Sequence, residues 1–447
     1  MKTNEKAVPR GWTGSDNNCY TILVKSDDLI INIGKQGADT YAKTSYPIRY
    51  GIYDEIKTDA YLFQFNLSGE IKYLRGRGKD WTNPGEWLKR TSGNDWVYYS
   101  SGEYDRTYSY FGEYYFPCFS YPTNSIMGQD PFRYNGVRQA RNSLESLLQR
   151  LRQLMANGLP AEAREAVSRI TSYDGRVLAL RANYLHGIIG ERVTVLPPDT
   201  RHVDYDVIPL TISDGCLYNC GFCRVKSGRS LTRRSRSDIL GQIDGLKQFY
   251  GPDLLNHNSL FLGQHDGLMA GEDMIMYAVE TAYEAFGFDH SYMKEPALFL
   301  FGSADSLLRS DEALFGQLNS MPFSTYINVG LESADSATLA LMKKPISPDK
   351  VRDAFVRLTE INGRYEKVEV SANFVIAPGL PESHIDSFLE LTGRASKPSM
   401  RRAIVYISPV TDDGARNREK ERALLAQFSK IKRESALPVY LYLIQRL

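Results

Sequence analysis

The sequence predicts an α/β protein, in which a partial (β/α)6 barrel of the TIM type follows an N-terminal β-rich domain of α+β character. Two observations lead to this fold class. From residue 207 onward, short apolar runs alternate with amphipathic stretches at the spacing of βα units. Before residue 135, short runs of alternating polarity are separated by Gly, Asn, Asp and Ser, which is typical of strands joined by turns.

The barrel prediction rests on six apolar runs, and the chain that contains them is too short for the eight units of a closed barrel. We therefore expect a barrel that is open at one side and admits a larger substrate. The predicted strands are residues 207–213, 259–262, 297–301, 325–329, 368–375 and 402–407. The predicted helices are residues 237–249, 271–286, 311–318, 336–342, 348–361, 382–391 and 415–434, and a last apolar strand covers 438–444.

Three regions follow from these patterns: an aromatic-rich β-rich domain at 1–135, a helical linker region at 136–195, and the barrel with a C-terminal extension at 196–447. In the first region, residues 61–73 predict a hairpin and residues 96–99 a strand. All four tryptophans lie there. Its aromatic side chains either form a packed core or offer a stacking surface to a substrate ring, and the sequence leaves both interpretations open.

Composition excludes several classes of protein. The 447 residues carry a formal net charge of +1, so no overall field favours nucleic acid or a membrane surface. The first residues contain no apolar signal core, and no run approaches the roughly 20 apolar residues that span a bilayer. Five cysteines, three of them clustered, do not form a disulfide framework. We expect a cytoplasmic protein without a membrane partner.

The cysteine cluster carries the strongest functional signal. Cys216, Cys220 and Cys223 have the spacing C-x3-C-x2-C and come directly after an apolar run that Gly215 interrupts. Cysteine thiolates hold iron–sulfur clusters, usually four to a cubane, so three would leave one iron open. A structural zinc site normally needs four ligands, and the remaining cysteines are isolated. Zinc and three unrelated buried thiols are the alternatives.

This spacing, with the aromatic Phe222 before the last cysteine, resembles the radical S-adenosylmethionine (radical SAM) superfamily. The resemblance implies one [4Fe–4S] cluster held by Cys216, Cys220 and Cys223, whose open iron binds SAM. It further implies reductive cleavage of SAM to a 5′-deoxyadenosyl radical, which abstracts hydrogen from a small organic substrate. An electron donor such as flavodoxin or ferredoxin is the implied partner, and Phe222 is implied to lie beside the adenine.

The loop after the second strand differs from the superfamily. Gly263, Gln264 and His265 stand where radical SAM enzymes usually have a Gly-Gly-Glu motif that holds the SAM amino group. Because the residues differ, the acid of this motif is expected from Asp266 or Glu272. His265 is the candidate catalytic acid or base, since histidine exchanges protons near neutral pH. A structural role for His265 is the alternative.

Further candidates follow the third and fourth strands, because the reactive groups of parallel barrels lie at the carboxyl ends of the strands. Ser303 and Asp305 offer a hydroxyl and a carboxylate to a hydroxyl-rich ligand. Residues 330–333 resemble the Gly-hydrophobic-(Glu/Gln)-Ser motif of the oxygen-independent coproporphyrinogen oxidases and the methylthiotransferases. The resemblance implies that Glu332 and Ser333 contact the ribose or methionine part of SAM.

The last two strands supply three more candidates. Residues 373–382, with Asn373 and Gly379, resemble the Gly-Leu-Pro turn of the same enzymes, whose backbone packs against adenine. Ile407 is expected to form an apolar edge for the purine. The sequence has neither a second cysteine cluster nor the Asp-x-His-x-x-Gly pattern of cobalamin-binding domains, which favours a single-cluster enzyme.

Two other functions remain open at this point. The first is a radical SAM enzyme that modifies RNA or another nucleic acid, with N-terminal aromatic residues stacking on bases. In that case the basic residues between 224 and 236 would contact phosphates, although a solvated charged segment explains most of them equally well. The second is a non-catalytic iron–sulfur or zinc protein.

Overall fold

The structure is a computed structural model, which describes residues 22–26, 29–42, 49–81, 83–120, 126–128, 130–218, 220–221, 223, 225, 230–394, 403–410 and 417–447. It contains an antiparallel sheet, a helical region and a parallel sheet with helices, so the predicted fold class is confirmed. The exact boundaries of the three regions stay a prediction. None of the described helices is long and apolar enough to cross a membrane.

Eight strands of the described chain form an antiparallel sheet in which each strand pairs with the next one along the sequence. They are β1 (Ile22–Ser26), β2 (Leu29–Gln36), β3 (Ile52–Lys57), β4 (Tyr61–Phe65), β5 (Ile71–Gly76), β6 (Trp87–Arg90), β7 (Trp96–Ser100) and β8 (Phe116–Cys118). The predicted hairpin is β4 and β5, and the predicted strand at 96–99 is β7. A helix that the sequence did not predict, α1 (Tyr104–Phe111), lies between β7 and β8.

Three helices follow in the region where a helical linker was predicted: α2 (Asn135–Ala156), α3 (Ala161–Thr171) and α4 (Gly175–Ile189). Leu144, Leu147, Leu148 and Leu151 of α2 are buried, as their helical spacing predicts. Helix α2 packs on the antiparallel sheet at β5. The arginines of α2 mostly lie on its exposed side.

Seven strands of the described chain form a parallel sheet in sequential order, as consecutive βα units require. They are β9 (Ile208–Pro209), β12 (Ser259–Asp266), β13 (Ala297–Ser303), β14 (Ser324–Glu332), β15 (Val368–Ile376), β16 (Val405–Pro409) and β17 (Val439–Leu441). The helices are α5 (Arg236–Tyr250), α6 (Glu272–Phe286), α7 (Ala304–Arg309), α8 (Glu312–Ser320), α9 (Ser336–Leu341), α10 (Pro348–Arg364), α11 (Ser383–Arg394) and α12 (Arg418–Glu434). The predicted last apolar strand is therefore a seventh strand of the barrel sheet.

A segment that precedes the barrel, residues 193–196, contacts both β12 and the chain after β17. The backbone N–H of Leu196 donates to the carbonyl of Gln445, 2.8 Å away and beyond β17. At the carboxyl end of β12, the N–H of Thr194 donates to Oε1 of Gln264 at 2.8 Å. Val193 and Leu196 are fully buried. The segment therefore bridges β12 and the C-terminal residues, and the barrel open at one side stays a prediction.

The antiparallel sheet contacts the barrel at the amino-terminal ends of the strands. The side-chain amide of Asn256, three residues before β12, exchanges hydrogen bonds of 2.7 and 2.9 Å with the backbone of Ile52. Before β13, the N–H of Lys294 donates to the carbonyl of Asp39 at 2.6 Å. Because the candidate residues of parallel barrels lie at the carboxyl ends, the N-terminal sheet meets the end of the barrel opposite to them.

Candidate functional site

A short hairpin holds the base of the cysteine loop. Residues Ser213–Asp214 (β10) pair antiparallel with Thr232–Arg233 (β11), so the chain leaves and re-enters the barrel at the same point. The guanidinium of Arg234 donates to the carboxylate of Asp214 at 2.8 Å, and the backbone N–H of Arg234 donates to the carbonyl of Ile212 at 2.9 Å. The first predicted strand, residues 207–213, is shorter than expected: β9 covers only Ile208–Pro209, and Ser213 belongs to this hairpin.

The three cysteines of this loop are thiols with different exposure. Cys216 is exposed, Cys220 is buried and Cys223 is half-buried. Burial, with smaller contributions from Glu332, Cys223 and Cys216, raises the pKa of Cys220 to about 11 against the opposing charge of Lys344, so the three sulfurs influence one another. The described residues contain no group of three His, Cys, Asp or Glu side chains gathered as a metal site. Phe222 lies outside the described residues.

The donor chemistry of this loop nevertheless fits the implied cluster. Three thiols on one loop, at the carboxyl end of the first barrel strand, match the sulfur ligands that iron–sulfur clusters take. Structural zinc would need a fourth ligand of suitable chemistry. Cys216, Cys220 and Cys223 would thus hold the cluster.

The loop is anchored to the turn that follows α9. The N–H of Gly221 donates to the carbonyl of Met342 at 2.8 Å. A Cβ at position 221 would lie 3.3 Å from the same oxygen, so the approach favours glycine. The ammonium of Lys344 lies 5.2 Å from the ring centroid of Tyr218. These contacts connect the middle of the cysteine loop to the end of β14.

Asp305 anchors the loop from the other side. Its carboxylate accepts a short hydrogen bond from the hydroxyl of Tyr218 and forms an ion pair with Lys350, with 2.7 Å between Nζ and Oδ1. Partial burial raises the pKa of Asp305, but these two partners outweigh it and lower the pKa overall. Ser303 caps α7 by accepting from the N–H of Ser306 at 3.1 Å. Both predicted ligand-binding side chains therefore have intramolecular partners.

Asp266 lies at the end of β12, and its charge adds to the larger effect of burial in raising the pKa of Cys216. The side chain is buried, and neither carboxylate oxygen meets hydrogen-bond geometry with a described residue. Burial raises the pKa of Asp266, although the hydroxyls of Ser303 and Ser306 oppose the rise. Glu272 instead accepts a hydrogen bond from Gln317 at 2.6 Å at the start of α6. Asp266 is thus the better-placed of the two predicted acids.

Gln264 and His265 turn towards Glu191, a residue that the sequence did not single out. The amide of Gln264 donates to Oε2 of Glu191 at 2.8 Å, and Nε2 of His265 lies 3.2 Å from the same oxygen. Thr211 donates to Oε1 of Glu191 at 2.9 Å. Gly263, with φ of 91°, adopts a left-handed conformation that favours glycine. No sequence motif surrounds Glu191. It contacts Gln264, His265 and Thr211 only because residues 191–196 fold against the barrel.

Glu332 lies at the end of β14 in a left-handed conformation, with φ of 66°. Its Oε1 is 3.2 Å from Nζ of Lys344, and its Oε2 accepts from the amide of Asn373 at 3.4 Å. The carbonyl side of the Asn373 amide accepts from Ser408 at 2.9 Å. Neighbouring strand ends β14, β15 and β16 are thereby linked. Lys344 is the second residue of the site that the sequence analysis missed.

Ser333, Ile407 and Gly379 differ in their surroundings. Ser333 is fully buried and donates to Nδ1 of His384 at 2.8 Å, while Nε2 of His384 donates to the carbonyl of Val375 at 2.7 Å. Ile407 is also fully buried, within β16. Gly379, with φ of 79°, lies in the turn after β15. Ser333 and Ile407 therefore belong to the interior, and their predicted contacts with SAM stay predictions.

No family model matches the chain, and no curated protein matches it. Among solved structures it is similar to the cobalamin-dependent S-adenosylmethionine radical enzyme OxsB with aqua-cobalamin and S-adenosylmethionine bound, with 16% identity and a TM-score of 0.33. That match covers 54% of this chain and 33% of OxsB, so the chain spans about a third of OxsB. It is also similar to a radical SAM methyltransferase from Sphaerobacter thermophilus, with 16% identity, a TM-score of 0.37, and coverage of 67% and 93% of the two chains.

A third similar structure is methylornithine synthase (PylB), with 13% identity, a TM-score of 0.31, and coverage of 66% of this chain and 81% of that chain. OxsB and the Sphaerobacter protein are radical SAM enzymes, the superfamily that the cysteine spacing resembles.

Proposed function

We propose that this protein is a radical SAM enzyme with a single [4Fe–4S] cluster that acts on a small organic substrate. The observation that carries the proposal is the position of three thiols, at C-x3-C-x2-C spacing, in a loop at the carboxyl end of the first strand of a parallel barrel. The net charge of +1 and the balanced charges favour a small substrate over a nucleic acid. An electron donor such as flavodoxin or ferredoxin completes the proposal.

When bound, the cluster and SAM would supply one-electron reductive cleavage of SAM and, through it, abstraction of a hydrogen atom from the substrate. The chain's own residues would bind and orient. Cys216, Cys220 and Cys223 would hold the cluster, and the buried carboxylate of Asp266 would accept a hydrogen bond from the amino group of SAM. Asn373 and Glu332 lie at adjacent strand ends, where the ribose hydroxyls are expected.

The test is anaerobic reconstitution of the full chain with iron and sulfide, followed by dithionite and SAM. We expect a brown protein with about four irons per chain, an EPR signal that changes when SAM is added, and release of 5′-deoxyadenosine. Cys220→Ala should lose the colour and SAM cleavage together, because three thiolates are the minimum that holds such a cluster with one open iron.

Cys118→Ala is the matched control, since Cys118 is a buried cysteine in the N-terminal sheet and lies outside the loop. It should retain iron content and 5′-deoxyadenosine release at wild-type levels. Zinc in the loop of anaerobically purified protein would contradict the proposal. So would a cluster whose EPR signal ignores SAM and which releases no 5′-deoxyadenosine, since that result supports a non-catalytic iron–sulfur protein.

A further inference from the structure

A buried lysine lies beside the cysteine loop, and neither the sequence motif nor the proposed ligand set includes it. The side chain of Lys344 is only 4% exposed. Long cationic side chains are almost never fully buried unless they are paired. Lys344 therefore needs an explanation, and its surroundings supply one.

The ammonium makes two hydrogen bonds and one contact with an aromatic ring. Nζ donates to the carbonyl of Gly330 at 2.8 Å and to Oε1 of Glu332 at 3.2 Å. It also lies 5.2 Å from the ring centroid of Tyr218, which is within the range of cation–π attraction. Gly330 permits this arrangement, since a Cβ there would lie 2.6 Å from Oε1 of Glu332. The ammonium is thus fixed between the end of β14 and the cysteine loop.

Two contacts place Lys344 beside the cysteines. The ring of Tyr218, which the ammonium approaches to 5.2 Å, belongs to the residue midway between Cys216 and Cys220. The N–H of Gly221, the residue after Cys220, donates at 2.8 Å to the carbonyl of Met342, two residues before Lys344. A cation on this side of the loop stabilises thiolates, which are the form that binds iron.

We infer that Lys344 is a positioning residue for the cluster, an inference that rests on the proposed function: it holds the cysteine loop through Tyr218, and its charge favours the reduced state. Adding an electron makes a thiolate-bound cluster more negative, so a fixed neighbouring cation stabilises the reduced state relative to the oxidised one. Solvent exposure and nearby charge are among the factors that set such potentials. Lys344 would therefore make the first electron transfer easier.

Lys344→Met tests this inference, since it keeps the length of the side chain and removes the charge. In the reconstituted full chain we expect a more negative midpoint potential in an EPR-monitored redox titration. We also expect release of iron to a chelator that is roughly 10-fold faster, as for other partners of metal ligands. Lys343→Met is the matched control, because Lys343 is the adjacent lysine and is exposed. Lys343→Met should have the same midpoint potential and the same rate of iron release as the wild type.

Removing the ammonium leaves Glu332 buried without its cation, so Lys344→Met alone could fail to fold. The double variant Lys344→Met/Glu332→Gln removes both charges, so its shift should be smaller than that of Lys344→Met, because losing the carboxylate acts in the opposite direction. Its iron release should still be faster than in the wild type, because the contact with Tyr218 is lost. A folded Lys344→Met with the wild-type potential, or a folded double variant with the wild-type iron-release rate, would overturn the inference alone. A wild-type chain that takes up no cluster would overturn the proposed function, and this inference with it.

Discussion

At the scale of single residues, the polar side chains of the site are mostly engaged with one another. Ser333 and His384 are the most enclosed pair: the serine is fully buried and the histidine is 3% exposed. Because Nε2 of His384 donates to the carbonyl of Val375, Nδ1 is the acceptor for the serine hydroxyl, and the ring is neutral. Burial lowers the pKa of His384 below its ordinary value, against the smaller opposing effect of the Val375 carbonyl.

The depressed pKa of His384 predicts a dependence of stability on pH. The unfolded chain takes up the proton near pH 6.5, whereas the folded chain resists it until a lower pH. The stability contributed by His384 is therefore present above about pH 6.5 and is lost as the pH falls towards the folded pKa. His384→Asn should lower the free energy of unfolding at pH 7.5 by about 1–3 kcal/mol, because two buried hydrogen bonds are weakened.

Urea denaturation at pH 7.5 and pH 5.5 measures both effects. The wild type should lose more stability between these two values than His384→Asn does, because the variant lacks the titrating ring. Ser333→Ala serves as the control, since it removes one hydrogen bond but keeps the histidine, and it should retain the steeper dependence. Equal slopes for the wild type and His384→Asn would show that His384 does not titrate differently on folding.

At the scale of elements, the turn between β4 and β5 is packed closely against α3. Gly69 has φ of 93°, and a Cβ at this position would lie 2.7 Å from the backbone carbon of Arg169. Gly158, after α2, has a similar φ of 95° but nothing within 4 Å of the same hypothetical atom. Both glycines thus adopt a left-handed backbone conformation, but only Gly69 is also in close contact with a neighbouring element.

Alanine at these two positions separates strain from packing. Gly158→Ala should cost about 1 kcal/mol or slightly more, because only the left-handed conformation is penalised. Gly69→Ala should cost about 1–3 kcal/mol beyond that, because the β4–β5 turn and α3 must also move apart. Thermal or urea unfolding of both variants measures the difference. Equal losses would mean that α3 does not rest on this turn as the structure describes.

Helices and strands were predictable from the sequence where the periodicity of apolar residues lies within a single element. The leucines of α2 and the apolar run at Ala297–Ser303 each fix their own element, because burial on one helix face or on both faces of a parallel strand leaves a repeating pattern. The position of residues 191–196 was not predictable, since its hydrogen-bond partners Gln264 and Gln445 are distant in sequence. The antiparallel order of β1 to β8 likewise depends on pairing, which propensity alone does not specify.

The same distinction applies to the site. The three cysteines are recognisable because they lie in one loop and their spacing in the sequence is itself typical of an iron–sulfur site. Lys344 and Glu191 were missed because each acts through a residue from another strand or loop: Tyr218 and Glu332 for the lysine, Gln264 and His265 for the glutamate. A pattern of residue types along one segment cannot reveal such a contact.

At the scale of the whole molecule, the antiparallel sheet is joined to the barrel by buried charges. Nζ of Lys89 in β6 lies 3.0 Å from Oδ1 of Asp206 and 3.3 Å from Oδ2 of Asp204, just before the first barrel strand. Lys72 in β5 adds a contact of 3.0 Å to Asp206. Burial alone would raise the pKa of Asp206, but the charges of Lys72 and Lys89 outweigh burial and hold that pKa well below its ordinary value. The sheet and the barrel should therefore unfold together.

Lys89→Met tests this coupling. It removes the buried cation and leaves the half-buried Asp204 and Asp206 with one partner fewer, so the free energy of unfolding at pH 7 should fall by about 3–5 kcal/mol. Because the folded pKa of Asp206 is depressed, the stabilising effect of the lysine is present above about pH 4 and is lost as the pH falls below that value. The difference in the free energy of unfolding between the wild type and Lys89→Met should accordingly become smaller under acidic conditions.

Lys57→Met is the control. Lys57 pairs with Glu55 at 3.1 Å, but Lys35 also contacts Glu55, and the side chain of Lys57 is 31% exposed. Its loss should cost at most about 1 kcal/mol.

The tryptophans make the readout specific to each part of the molecule. All four lie within residues 1–135, so their fluorescence follows the N-terminal region, whereas far-UV circular dichroism follows the helices, most of which surround the barrel. In a single cooperative unit, Lys89→Met should shift both transitions to the same lower denaturant concentration. If the fluorescence transition moved while the helical transition stayed in place, the antiparallel sheet would be a separate folding unit, and the buried charges between it and the barrel would not couple the two.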